Sequence, residues 1–128
     1  MIITGNTKND KLIIADYKAT SKKGDVTIDA PWQISYKRQI EIYQWLFRQN
    51  GFDVDDMSYF VYCNGIKDSK VFDNCLNFEV KILPYKANDS WVTPALGEIK
   101  NCLDSDEIPK ESDRCDYCAY NRKIKLFS

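Results

Sequence analysis

The chain has 128 residues, the size of one domain, and its 44% hydrophobic and 13% aromatic content excludes the composition of a disordered chain. Eighteen basic against nineteen acidic residues leave a formal charge of −1, so the sum gives no general pull toward nucleic acid. Histidine is absent, which excludes a Ser-His-Asp hydrolase or a histidine-rich zinc enzyme and leaves carboxylate, lysine, tyrosine or cysteine to carry any chemistry.

In chain order, Met1 to Thr4 reads as the end of a strand, Asn6 to Asp10 as a polar turn, and Lys11 to Ala19 as the next strand of a hairpin. Within it, Leu12-Ile13-Ile14-Ala15 is apolar on both faces, as in a central strand. Thr20 to Thr27 is a loop of lysine, glycine and serine. Asp29-Ala30-Pro31 signals a helix start, with aspartate as the cap, and the helix is predicted to run to Asn50 and end at Gly51. Its apolar stripe is Tyr36, Ile40, Tyr43 and Phe47, with Leu46 alongside. Ser58 to Cys63 reads as a second buried strand and Asn64-Gly65 as a turn. Asn77 to Leu83 alternates, Leu76, Phe78, Val80 and Ile82 against Asn77, Glu79 and Lys81, which predicts a half-buried outer strand. Asp89-Ser90 caps a second helix with Val92, Leu96, Ile99 and Leu103 on one face and Pro94 in its first turn. An acidic loop from Asp104 to Asp113 leads into a tail over 112–128 that carries Cys115 and Cys118.

The order β-β-α-β-β-α predicts one α/β domain over 1–128, a mixed central β-sheet flanked by helices. Trp32, Trp45 and Trp91 are expected to pack in the core or at helix starts. No apolar run approaches the roughly 20 residues of a membrane span, so no membrane is expected. An odd count of five cysteines and an amino terminus without a signal peptide point to a reduced, cytoplasmic setting.

Chemistry is concentrated in Asp16-Tyr17-Lys18. Side chains two apart on a strand share a face, so Asp16 and Lys18 project into the same space at the strand's carboxyl end. A carboxylate suits Mg²⁺, a hard cation, and a lysine beside it suits the attacking water or the developing charge of a phosphodiester. Alone, the pair reads equally well as an ion pair at a strand end. Gln39 and Tyr43, four apart, lie on the same helix face, within the apolar stripe, so Gln39 is expected on the buried side where an amide needs partners; taken alone, the pair reads better as Gln39 flanking the stripe and Tyr43 as plain core.

Together, the Asp-x-Lys strand, the lysine-bearing loop and the helix with Gln-x-x-x-Tyr resemble the PD-(D/E)XK nuclease superfamily, in particular its RecB-like nuclease modules. Tyr59-Phe60-Val61-Tyr62 and the closing Cys115 to Tyr120 segment are similar to that group as well. The resemblance implies a restriction-endonuclease-like core acting on DNA with Mg²⁺ or Mn²⁺. It makes Asp16 a metal-binding carboxylate and Lys18 the catalytic lysine, with Gln39 and Tyr43 shaping the site and contacting the DNA strand. Two departures bear on that reading. The family carries another aspartate, often as Gly-x-x-Asp, on the strand before Asp-x-Lys, and nothing of that kind precedes Asp16; Asp10 lies in the turn on the wrong side of the hairpin. The core is therefore expected to be incomplete at its N-terminus and inactive or weak as an isolated chain, its site completed by a missing N-terminal segment or a larger nuclease/helicase assembly. Some relatives hold an iron–sulfur cluster on four cysteines. Here Cys63, Cys75 and Cys102 stand alone and only Cys115 and Cys118 are close, so no cluster is expected.

Two other readings stand beside the nuclease. One is a non-catalytic module that keeps the fold and binds nucleic acid or protein. The other is a thiol redox or zinc module, which rests only on Cys115 and Cys118, with no active-site helix behind them and, in its zinc form, a metal shared with Cys102 or a second chain. Tyr117 and Tyr120 interleaved with Arg122, Lys123 and Lys125 could follow a phosphate backbone or form a solvated tail.

Overall fold

The computed structural model describes residues 2–6, 8, 10–68, 71 and 74–126. Met1 of the expected first strand and Thr7 and Asn9 of the expected turn lie outside them, as do the last two residues of the tail. The chain divides into two compact units, Met1–Val92 and Thr93–Ser128.

The first unit is a four-stranded mixed sheet in the order β1-β2-β3-β4, with β1 at Ile2–Gly5, β2 at Leu12–Thr20, β3 at Met57–Gly65 and β4 at Phe78–Lys86. β1 and β2 form the predicted antiparallel hairpin, and β4 lies antiparallel to β3 at the other edge. Between them β2 runs parallel to β3, with Asp16 opposite Phe60 and Lys18 opposite Tyr62. Parallel neighbours need a long crossover, and helix α1 (Ile34–Gln49) supplies it. This is the expected α/β fold with a mixed sheet.

The chain enters α1 through a 3-10 turn, Pro31–Gln33, where the fixed φ of Pro31 suits a first helical position. The cap differs from expectation. Asp29 pairs with Lys37 at 3.3 Å, and it is Gln33 that reaches back, its Oε1 accepting the Ala30 N–H at 2.9 Å. At the far end Gly51 adopts φ +85°, and the Phe52 N–H bonds the Phe47 carbonyl at 3.1 Å, the left-handed stop the sequence predicted.

The core lies between α1 and one face of the sheet. Val26, Ile40, Phe60, Tyr62 and Ala87 form its buried cluster, with Ile28, Tyr36, Leu83 and Tyr85 packed against them. Because register carries facing across the sheet, Ile14, Asp16 and Lys18 share this face with Ser58, Phe60 and Tyr62. The outer strand presents the opposite phase to the one its apolar pattern suggested. Leu83 pairs with Phe60, so Leu83 and Tyr85 turn toward α1, while Val80 and Ile82 lie on the far face, each 61% exposed.

Polar side chains fasten α1 down. Glu41 is buried; its Oε1 accepts from the Tyr85 hydroxyl at 2.6 Å and the Asn88 N–H at 3.3 Å, and its Oε2 from the Trp91 indole N–H at 2.7 Å. Gln44, fully buried, donates to the carbonyls of Asp55 and Asp56 and to the Ser58 hydroxyl. Arg48 adds bonds to the Val54 carbonyl, Asp56 and Asp89. Trp45 and Trp91 are half-buried as expected. Trp32 packs at the helix start, edge-to-face on Tyr36, and is 63% exposed.

The second unit contains most of α2 (Val92–Leu103) and α3 (Asp116–Ile124). Lys100 and Asp104 pair at 2.6 Å one turn apart, and Arg122 pairs with Glu111. The tail, expected to be a plain closing segment, is a helix capped by Cys115, whose Sγ accepts the Cys118 N–H at 3.4 Å. No helix among the described residues is long and apolar enough to cross a membrane.

Removing the Glu41 carboxylate leaves the Tyr85 and Trp91 donors without a partner, so Glu41→Ala should cost about 3 kcal/mol in urea unfolding, and Tyr85→Phe about 1 kcal/mol. Burial, then the bond to Glu41, push the Tyr85 phenol well above its ordinary range. The folded chain therefore keeps a proton that the unfolded chain gives up near pH ~10. Stability should fall as pH rises past that point, and less steeply in Tyr85→Phe, as read from thermal midpoints across alkaline buffers.

Candidate active site

Alternation along β2 brings Asp16 and Lys18 to the α1 side of the sheet, two residues apart near the carboxyl end of the strand. The Lys18 ammonium lies 2.6 Å from Asp16 Oδ2, with only 17% of the lysine side chain and 5% of the aspartate side chain exposed. It donates to Gln39 Oε1 at 2.9 Å, and Gln39 Nε2 in turn donates to the Tyr43 hydroxyl at 2.9 Å. The Tyr36 ring covers the same ammonium, 4.2 Å from its centroid. The four residues singled out from sequence, Asp16, Lys18, Gln39 and Tyr43, thus form one connected chain from strand to helix. Gln39 sits half-buried, on the side its helical phase predicted.

Three further polar residues frame this chain. Gln33 is buried and donates to the Thr27 carbonyl at 2.6 Å and the Tyr62 hydroxyl at 3.3 Å. Burial pushes the Tyr62 phenol up, and the nearby Tyr36 and Asp16 add to the rise, while the bond from Gln33 opposes it. Asn64, expected in a turn, is the buried end of β3. Its amide accepts the Lys22 N–H at 3.0 Å and donates to the Lys22 carbonyl at 3.1 Å, which clamps the loop after β2. Ser58 completes the set beneath Gln44. The signals for Gln44 and Asn64 were present in the sequence. Gln44 follows Ile40 by one turn, and Asn64 continues the alternation of Ser58, Phe60 and Tyr62. Next to Lys18 opens a cleft of about 300 Å³ lined by Lys22, Trp32, Gln33, Tyr36 and Tyr62 among others.

The donor set does not fit a divalent cation by itself. Among the described residues no group of three or more His, Cys, Asp or Glu converges on a point. Asp16 is the one carboxylate in the Lys18–Gln39–Tyr43 chain, and Lys18 already holds one of its oxygens. The other buried carboxylate among the described residues, Glu41, is committed to Tyr85, Asn88 and Trp91. Mg²⁺ keeps its waters unless several anionic oxygens meet it.

The thiols lie apart in sequence from this chain, and all five cysteines are free. Backbone hydrogen bonding from Cys118 is the main pull holding the Cys115 thiol below its usual range, while the bond to Cys115 pushes the Cys118 thiol up. The helix that sequence reasoning did not place behind this pair is α3.

No curated protein and no solved structure matches the chain. The sequence model of the PD-(D/E)XK nuclease superfamily matches residues 2–122, a span that holds all four strands, α1 and α2. With a match of that extent and a mixed sheet whose inner strand carries Asp-x-Lys beneath a crossing helix, the chain belongs to the PD-(D/E)XK nuclease superfamily.

Proposed function

We propose that this chain binds DNA at the Lys18 end of the sheet and carries the carboxylate–lysine half of a metal-dependent phosphodiester-hydrolysing site. The observation that supports this most directly is the clasp on Lys18, held 2.6 Å from Asp16 and 2.9 Å from Gln39. A lysine so fixed is oriented before any substrate arrives. Its ammonium can meet a phosphate oxygen and offset the charge that grows there during hydrolysis, without reorganising. Gln39 sets the ammonium's direction, and Tyr43 sets that of Gln39. Asp16 is the proposed metal-binding carboxylate, and the superfamily generally works with divalent ions such as Mg²⁺.

A single carboxylate holds such an ion weakly. The isolated chain is therefore proposed to hydrolyse DNA slowly or not at all, with further carboxylates supplied by a partner in a larger nuclease assembly. The same donor set favours a second reading, a non-catalytic module that keeps the fold and binds nucleic acid or protein.

The test is an assay on end-labelled single-stranded and duplex DNA with Mg²⁺, Mn²⁺ or chelator, comparing wild type with Lys18→Ala, alongside metal-free binding by anisotropy. We expect trace metal-dependent cleavage that Lys18→Ala abolishes. Equal cleavage by wild type and Lys18→Ala would remove the lysine from the mechanism, and binding with no cleavage under any metal would leave the non-catalytic module. Vigorous cleavage by the chain alone would refute the incomplete site. In metal-free binding, Asp16→Asn removes an anion from beside Lys18 and should tighten DNA binding severalfold, with Lys18→Ala acting in the opposite direction.

A further inference from the structure

We propose that the cleft beside Lys18 receives one unpaired nucleotide, its base stacked on Trp32 and its phosphate between Lys18 and Lys22. This rests on the DNA-binding reading and narrows it to single-stranded substrate.

Trp32 is the starting observation. A tryptophan left 63% exposed at a helix entrance forgoes the burial that usually places this residue, and it does so on the wall of a cleft. Its position is held from two directions. Its ring meets Tyr36 edge-to-face, with centroids 5.5 Å apart and planes at 83°, and the next residue, Gln33, is locked by bonds to Thr27, Ala30 and Tyr62. Tyr36 in turn carries the Lys18 ammonium over its ring. The aromatic wall and the cation are therefore one assembly.

The Lys22 part of the lining is anchored as well. Lys22 belongs to an exposed loop, yet Asn64 holds its N–H and its carbonyl at once from the buried end of β3. Lys22 also lines a neighbouring hollow with Lys67 and with Lys23, which pairs with Asp68 there. The acids nearby are already partnered: Asp16 with Lys18, Asp29 with Lys37, Asp68 with Lys23 and Asp25 with Lys81.

These features select the ligand. Cations on the rim with an aromatic face beside them suit a group that is anionic at one end and flat at the other. A volume of about 300 Å³ is near the lower end of ligand pockets, roughly 300–1,000 Å³, and suits one nucleotide. A base paired within a duplex is stacked on its neighbours and cannot offer its face to a side chain, whereas a single strand can.

The experiment measures anisotropy of labelled oligothymidylate, of a strand of the same length with abasic sites, and of a duplex, all in chelator so that nothing is cleaved. Trp32→Ala should weaken oligothymidylate binding about tenfold and leave the abasic strand unchanged, while Trp32→Phe restores most of the loss. Binding should quench tryptophan emission in the wild type and not in Trp32→Ala. Lys22→Ala should weaken both strands alike and lower the salt slope by about 0.7. Circular dichroism confirms that the variants fold. Wild-type affinity of Trp32→Ala for oligothymidylate, an equal loss on the abasic strand, or a preference for duplex would overturn this inference alone. Failure of the wild type to bind any strand would instead remove the DNA-binding reading beneath it.

Discussion

A lysine ammonium seated within a sheet is the constraint from which the arrangement of this chain follows. Only 17% of the Lys18 side chain reaches solvent, so its charge must be met inside the protein. Asp16 meets it from the same strand, Tyr36 from above, and Gln39 from the crossing helix. Those contacts oblige α1 to lie with its amide-bearing face over the carboxyl end of β2. They also tie the parallel β2–β3 register to the helix, since Asp16 and Lys18 stand beside Phe60 and Tyr62, and both belong to the core cluster with Ile40.

The remainder of the interface is unusually polar for a helix on a sheet, and its polarity is organised. Glu41, Gln44 and Arg48 bind the 54–58 segment, β4 and the turn before α2, whereas Gln33 and Asn64 bind the single loop that follows β2. Each of these groups takes loop backbone or a neighbouring side chain as its partner. Loops usually carry functional residues at the expense of order. Here the buried side chains of Asn64 and Gln33 bond the backbone of the Lys22 and Trp32 segments.

Charge distribution, not the sum, bears on the proposed partner. A net charge of −1 says little, because Lys18, Lys22, Lys23 and Lys67 line adjoining hollows, where Asp16 and Asp68 pair with Lys18 and Lys23 and leave Lys22 and Lys67 as the surplus. Positive charge gathered at one place acts on a polyanion at short range even when the whole chain is nearly neutral. The chain belongs to a nuclease superfamily, and Asp16 is the one carboxylate in the Lys18–Gln39–Tyr43 chain.

The order of elements, the two-face apolar run of β2, the glycine stop of α1 and the shared facing of Asp16 with Lys18 and of Gln39 with Tyr43 were legible in the sequence, because helix and strand periods are local properties. That Lys18 and Gln39 touch could be expected from the sequence only by way of family resemblance. What tertiary structure alone decided depends on pairing. The apolar side of β4 faces outward because its register with Phe60 turns Leu83 and Tyr85 inward, which a single strand's alternation cannot state. Glu41, an ordinary surface type by composition, is buried because Tyr85 and Trp91 arrive from distant parts of the chain to bond it. Trp32, at the entrance of α1, is left 63% exposed. Local periodicity sets which side chains share a face; only the packed elements decide which face is covered and which stays open to a ligand.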